Sequence, residues 1–164
     1  MDLILLMHGL FETIEPYLKN VKLLAIASFN TQPWIATVFY CYDEELNLYF
    51  LSRLVRRHSQ EILKNAQVAV AIADQNQIFG NEMKGLQIEG TCMPLSGEEA
   101  RNAFAFYKQR FPKVEGFMPE EGLTRYVESF SKGEIIHRIW KVIPTKIKIF
   151  DESKYGDMGK EFVL

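Results

Sequence analysis

Apolar and polar positions alternate or cluster over short stretches along most of the chain, and only a few stretches repeat at helical spacing. Leu23–Phe29 is a compact apolar run, Asn30-Thr31-Gln32-Pro33 punctuates it, and Trp34–Tyr42 follows with Ile35, Thr37, Val38, Phe39 and Tyr40. These are residue types that favour strands. Asp43-Glu44-Glu45 makes a second polar break before Leu46–Leu51, so three consecutive strands with short connections predict an antiparallel meander. Further along, Val68–Ile72 reads as a buried strand, and Gly85–Cys92 as a strand in which Leu86, Ile88 and Cys92 alternate with more polar residues. Ile135–Ile143 and Thr145–Phe150 read as the last strands, separated by Pro144.

Helical spacing joins Phe11, Ile14, Tyr17 and Leu18, which predicts a short helix over Phe11–Lys19 lying across a barrel end, with Pro16 limiting where it begins. Gln60–Asn65 fits another short helix. Ser96 with Glu99 three residues on is a capping-box pattern, and Ala100, Ala103, Phe104 and Tyr107 continue it until Phe111-Pro112 ends the helix. Lys113–Gly133 is rich in Glu and Gly, with a helical turn or two expected over Leu123–Phe130. The tail from Asp151 is polar until Phe162-Val163-Leu164. No repeat, low-complexity tract or linker divides the chain, so 1–164 reads as a single domain. Six or seven short strands with a few short helices predict a mainly β (α+β) fold, a small antiparallel β-barrel, because closing the sheet removes the edges that invite aggregation.

Trp34–Tyr42 carries large side chains on both faces, whereas a half-exposed strand alternates apolar with polar. One face must be covered by a second layer of the same chain, a partner subunit or a flat cofactor.

Composition narrows the classes. The length, 164 residues, suits one compact domain, and 48% hydrophobic with 24% charged residues excludes a disordered, collagen-like or fibrous chain. Nineteen Lys plus Arg against 21 Asp plus Glu give a net charge of -2, which removes the global basic excess expected of a generic nucleic-acid or membrane-surface binder. The longest apolar stretch near the start is Leu3–Met7, preceded by Asp2, shorter than the roughly 7 to 15 apolar residues of an export signal. Cys41 and Cys92 lack CxxC spacing and sit in strand-like runs, as small buried hydrophobes of a reducing compartment do. A cytoplasmic location is expected.

The chemistry concentrates in Ser52–Ser59, where Arg53, Arg56, Arg57 and His58 fall between a strand and a helix. Cations at a helix start oppose the macrodipole, at a cost of about 0.3 to 1 kcal/mol each. A bound phosphate would reverse that, taking the helix-start amides, the hydroxyls of Ser52 and Ser59, and charge-assisted bonds from Arg56 or Arg57. The alternative is a solvated basic face paired with Glu44, Glu45 or Glu61. There is no GxxxxGK[ST], GxGxxG, HExxH or GxSxG, and no acid/base pair stands out, which suits a binding protein or an enzyme whose cofactor carries the chemistry.

Several stretches, in order, resemble a known family: Leu24-Ala25-Ile26-Ala27-Ser28, Pro33–Tyr40, Leu48-Tyr49-Phe50-Leu51-Ser52, Arg57–Ile62, Asn65–Val70 and Leu86–Gly90. The chain resembles the pyridoxamine-phosphate-oxidase-like FMN-binding split barrels, and within them the uncharacterised YhbP-like branch. The resemblance spans Leu23–Leu95 well and the final strands weakly. It implies a homodimer with two FMN sites at the subunit interface. The flavin ring would lie against Ala36, Thr37, Val38 and Phe39 and against Phe50, Leu51 and Ser52, while Ser52, Arg56, Arg57, His58 and Ser59 hold the phosphate. Gln87 matches a position facing the ring or ribityl chain. The chain departs from the oxidases in lacking their Ser-Arg-Lys run and their Arg-Leu-x-Pro ending, finishing Glu161-Phe162-Val163-Leu164, so pyridoxamine phosphate is a poor substrate.

The expected function is an FMN flavoprotein passing electrons or hydride between a nicotinamide cofactor and a small acceptor. Within the same fold the slot would instead hold a deazaflavin or haem, with His137 as an iron ligand. A different class is a non-catalytic barrel binding single-stranded nucleic acid, with Trp34, Phe39 and Tyr49 as stacking platforms.

Overall fold

The computed structural model describes residues 3–74, 76–81, 83–113, 124–125, 127–129, 132 and 137–164. Its strands are β1 (Leu23–Phe29), β2 (Pro33–Tyr42), β3 (Leu48–Arg53), β4 (Gln67–Ala73), β5 (Lys84–Pro94), β6 (His137–Asp151) and β7 (Lys160–Val163). The helices are α1 (Leu3–Asn20), α2 (Arg57–Lys64), α3 (Gly97–Arg110) and the short α4 (Glu152–Tyr155). All strand pairs are antiparallel in the order β3-β2-β1-β4-β5-β6-β7, and β3 also pairs β6. That last pairing closes β1–β6 into a six-stranded barrel and leaves β7 as an outer seventh strand, the architecture the short strands predicted.

Alternation decides what fills the barrel. Leu24, Ile26, Tyr40, Leu48, Phe50, Val68, Val70, Ile72, Leu86, Ile88, Trp140, Val142, Ile147 and Ile149 point inward and are buried. Phe50 and Trp140 face each other across the closing pair, with ring centroids 6.2 Å apart. Both cysteines are buried and unpaired, and burial pushes the Cys92 thiol up to about 12. β4 differs from the buried strand expected for Val68–Ile72: Ala69 and Ala71 face out and are exposed, because alanine is small enough to look apolar without needing cover.

Two prolines behave unlike the reading above. α1 does not start at Pro16 but runs through it, starting at Leu3. The lost main-chain bond is offset where Ile14 and Leu18 bury against the barrel mouth. The helix end is also tied down, since Tyr40 Oη and Arg110 Nη2 both donate to the Leu18 carbonyl, at 2.9 and 2.7 Å. Pro144 does not separate two strands either. It lies in the middle of β6 beyond the last β3 partner, Val142, and before the first β7 partner, Lys146, where an N–H has no ladder to join. Opposite it, at a register shift, stands Gly90, where a Cβ would run into the Ile143 carbonyl.

α3 covers the outer side of β2, β3 and β6 with Ala100, Ala103, Phe104 and Tyr107 against Cys41, Tyr49 and Ile139. Ser96 takes the N-cap position, but its side chain makes no cap bond, contrary to the capping box expected there. The helical turns expected over Leu123–Phe130 appear at 124–125 and 127–129, and the rest of that expectation lies outside the described residues. Among the described residues no helix is long and apolar enough to cross a membrane.

Candidate functional site

β2 and β3 part company halfway along. Their ladder covers only Tyr42↔Leu48, Cys41↔Tyr49 and Tyr40↔Phe50, after which Leu51, Ser52 and Arg53 pair with β6 alone. Trp34–Val38 keep β1 on one side and, among the described residues, no strand on the other. The Tyr40 N–H donates to Lys22 on the β1 side at 3.3 Å, so Val38, Ala36 and Trp34 bond the same way. By the same alternation the backbone groups of Ile35 and Thr37 face the opening.

That opening is a cleft of about 530 Å³, within the size range of small-molecule sites. One lip is Trp34–Val38, the other Leu51–Arg53 with His137, and the closed end is Arg56, Arg57 and His58 at the start of α2. Eight of the residues singled out by sequence therefore meet in one place: Ala36, Thr37, Val38, Leu51, Ser52, Arg56, Arg57 and His58. Three do not line it. Phe39 faces outward with its ring edge-on to Phe111, 5.6 Å between centroids. Ser59 is fully buried behind Ser52, to which its hydroxyl donates at 3.3 Å. Gln87 lies on the outer barrel face, in line with Ala71, Ala25 and Thr37 across three strand spacings, about 14 Å from the cleft lip. It lines a shallow groove with Ala25, Ala27 and Ala69 that meets the cleft at Ile35.

α2 begins at Arg57 rather than near Gln60, which brings the basic residues into its first turn. Arg56 is the N-cap and no side chain caps the helix, so the first-turn amides face the closed end without a protein acceptor from a cap. The basic face is partly neutralised, as the solvated alternative held. Arg57 Nε donates to Glu61 Oε1 at 2.8 Å, and Glu61 Oε2 accepts the Ser28 hydroxyl at 2.6 Å. Ser28 and Arg57 hold the Glu61 carboxyl below its ordinary range. Arg57 nonetheless stays about half exposed, with its guanidinium over the Trp34 ring. Among the described residues neither Arg53 nor Arg56 forms an ion pair, and both stay exposed on the cleft.

Ser52 Oγ and His58 Nε2 are 2.7 Å apart and both residues are buried. Burial, then the Arg56 charge, pushes the His58 pKa down, so its imidazole is neutral at pH 7. On the Leu51–Arg53 lip, His137 Nε2 accepts from Arg53 Nε at 3.1 Å, and burial and Arg53 lower its pKa too. Among the described residues no group of three His, Cys, Asp or Glu side chains is placed to hold a metal ion.

Trp34, Ile35 and Arg53 belong to the lining and were not singled out for it; their signal was their place at or just beyond the ends of the strands expected over Trp34–Tyr42 and Leu46–Leu51. Of the three aromatic platforms expected of a nucleic-acid binder, Trp34 and Phe39 are exposed and Tyr49 is not. Tyr49 is buried, stacked on Phe106 and bonded to Asp43, and Phe39 is held by Phe111.

No protein-family profile matches the chain. A UPF0306 protein of Photorhabdus laumondii is 33% identical over 104 residues, which cover 62% of this chain and 72% of that protein. Two solved structures share the fold. A Listeria innocua protein provisionally identified as a pyridoxamine 5'-phosphate oxidase superposes with a TM-score of 0.62 at 18% identity, over 85% of this chain and 97% of that one. HutZ, the haem storage protein of Vibrio cholerae, gives a TM-score of 0.62 at 14% identity, over 93% and 92%.

Proposed function

Starting from the chain's membership of the UPF0306 family, we propose that it is a flavoprotein that takes FMN into the cleft between β2 and β3. The observation that supports this most is the pairing of an unladdered strand edge with a cationic closed end. The Ile35 and Thr37 backbone groups offer hydrogen bonds to the rim of a flat ring, and Ala36 and Val38 are small enough to let one approach. Arg56, Arg57, Ser52 and the first-turn amides of α2 then meet a terminal phosphate, each charge-assisted bond contributing about 1.5 to 3 kcal/mol.

FMN supplies hydride and electron transfer; the chain binds it, orients it and limits water at the ring. Ser59 acts behind Ser52, fixing its hydroxyl rather than touching ligand. A nicotinamide donor and a small acceptor complete the reaction class, with the acceptor entering at the open side. Phe29, Trp34 and Ile35, the last 63% exposed, continue into a sheet face of alanines that includes Gln87. A second copy of the chain covers this face in the homodimer, which brings Gln87 of the partner toward the cleft.

Haem is the second reading, since a haem storage protein has this fold. The imidazole nitrogens argue for flavin first: His137 Nε2 is taken by Arg53 and His58 Nε2 by Ser52. Titration of the purified protein with FMN, riboflavin and hemin, followed by visible spectra, tests the reading. Saturable FMN uptake tighter than riboflavin supports it. A protein that takes up neither flavin overturns it, and uptake of hemin alone transfers the cleft to the second reading.

A further inference from the structure

At the closed end of the cleft three side chains share their hydrogens in a row. Ser59 on α2 is fully buried, and its hydroxyl donates to Ser52 Oγ on β3 at 3.3 Å. Ser52 Oγ stands 2.7 Å from His58 Nε2, and both of these residues line the cleft although each is only 7% exposed. Burial and the Arg56 charge keep the imidazole neutral at pH 7, so it carries one hydrogen, on Nε2 or on Nδ1.

The number of hydrogens decides what Ser52 can offer. A hydroxyl has one hydrogen and two acceptor sites, and a fully buried hydroxyl such as that of Ser59 must spend its hydrogen on a partner. Ser59 therefore fills one acceptor site of Ser52. With the imidazole hydrogen on Nδ1, Ser52 gives its own hydrogen to His58 and shows the cleft only a lone pair. With that hydrogen on Nε2, both acceptor sites of Ser52 are filled and its own hydrogen is left for the cleft. Only the second state suits an anion beside Arg56 and Arg57.

We infer that His58 is a positioning residue: it donates from Nε2 to Ser52 and so makes the Ser52 hydroxyl an obligate donor to a ligand end that only accepts, a fully ionised phosphate monoester. The inference rests on the flavin reading for its ligand, and it gives His58 a role through Ser52 in place of the direct phosphate contact that the resemblance implies.

Nitrogen-15 spectra of histidine-labelled protein, taken above pH 7 with FMN and separately with inorganic phosphate, read which ring nitrogen of His58 carries the hydrogen. It should be Nε2 in either complex, and a bare Nε2 overturns the inference. Ser52→Ala should weaken FMN about 10-fold and His58→Phe about 5-fold, with riboflavin unchanged, and the double variant should lose about 10-fold rather than the roughly 50-fold of two independent contacts. His58→Gln, whose amide N–H also donates, should bind FMN as the parent does. Losses that multiply, or that are equal for riboflavin, overturn the role. Uptake of inorganic phosphate without FMN ends the flavin reading and leaves the ring nitrogen to decide this one; a chain that takes up neither loses both.

Discussion

Arg57 lies 4.4 Å above the ring of Trp34 and is held there from behind by Glu61, so the first turn of α2 is joined to the far end of β2 through one guanidinium. Arg57 also lines the cleft, where an anion would arrive.

Arg57→Ala is accordingly expected to weaken FMN by about 10- to 100-fold, the loss of one charge-assisted bond. Riboflavin, which lacks the phosphate, should lose far less. Equilibrium dialysis or fluorescence titration of both ligands on both proteins reads the difference, and equal losses would contradict the assigned grip.

His58 makes stability depend on pH. Its folded pKa lies below the ordinary 6.5, so the unfolded chain takes up the proton first as pH falls. The stability contributed by the neutral ring is complete above pH 6.5 and declines below it, until the folded protein is protonated as well. Denaturant unfolding between pH 8 and 5 should show a shallower decline in His58→Asn than in the parent. Identical slopes would mean that the ring titrates freely.

Gly90→Ala tests the register shift opposite Pro144. The added methyl meets the Ile143 carbonyl and the Pro144 Cα, both backbone. A cost of about 1 to 3 kcal/mol, as for overpacking a core, should appear as a lower denaturation midpoint.

Ala71→Glu tests the proposed second copy. Ala71 is exposed in the middle of the alanine face, where a carboxylate is harmless to the isolated barrel and unwelcome between two. Sedimentation should find a dimer for the parent and a monomer for the variant, with unchanged far-ultraviolet dichroism. A monomeric parent would remove the homodimer from the reading.

Much of this was legible along the chain because strand alternation and turn chemistry are local. Leu24, Ile26, Leu86 and Ile88 announced their inward faces, and Asp43 its turn, where it accepts the amides of Glu45 and Asn47. Eight cleft residues followed from the resemblance and the density of arginine after β3. What escaped depended on partners far away in sequence. Pro16 and Pro144 read as breaks because the packing over α1 and the change of neighbours along β6 have no local signature. Glu61 looked like one acid among several until Ser28 met it from β1. Tyr107 read as one more apolar position of α3, since nothing near it tells that its hydroxyl meets the Phe39 carbonyl on a distant strand.

The closing pair of β3 with β6 also governs how the chain must fold. Phe50 waits for Trp140, so the early hairpins emerge from the ribosome with an open seam that no neighbouring segment can fill. Such non-local contacts slow the search for the native state, and β3 and β5 offer bare edges to other molecules in the meantime. Rapid synthesis at high concentration should therefore favour aggregates built through those two edges, and slower translation should favour the finished ring.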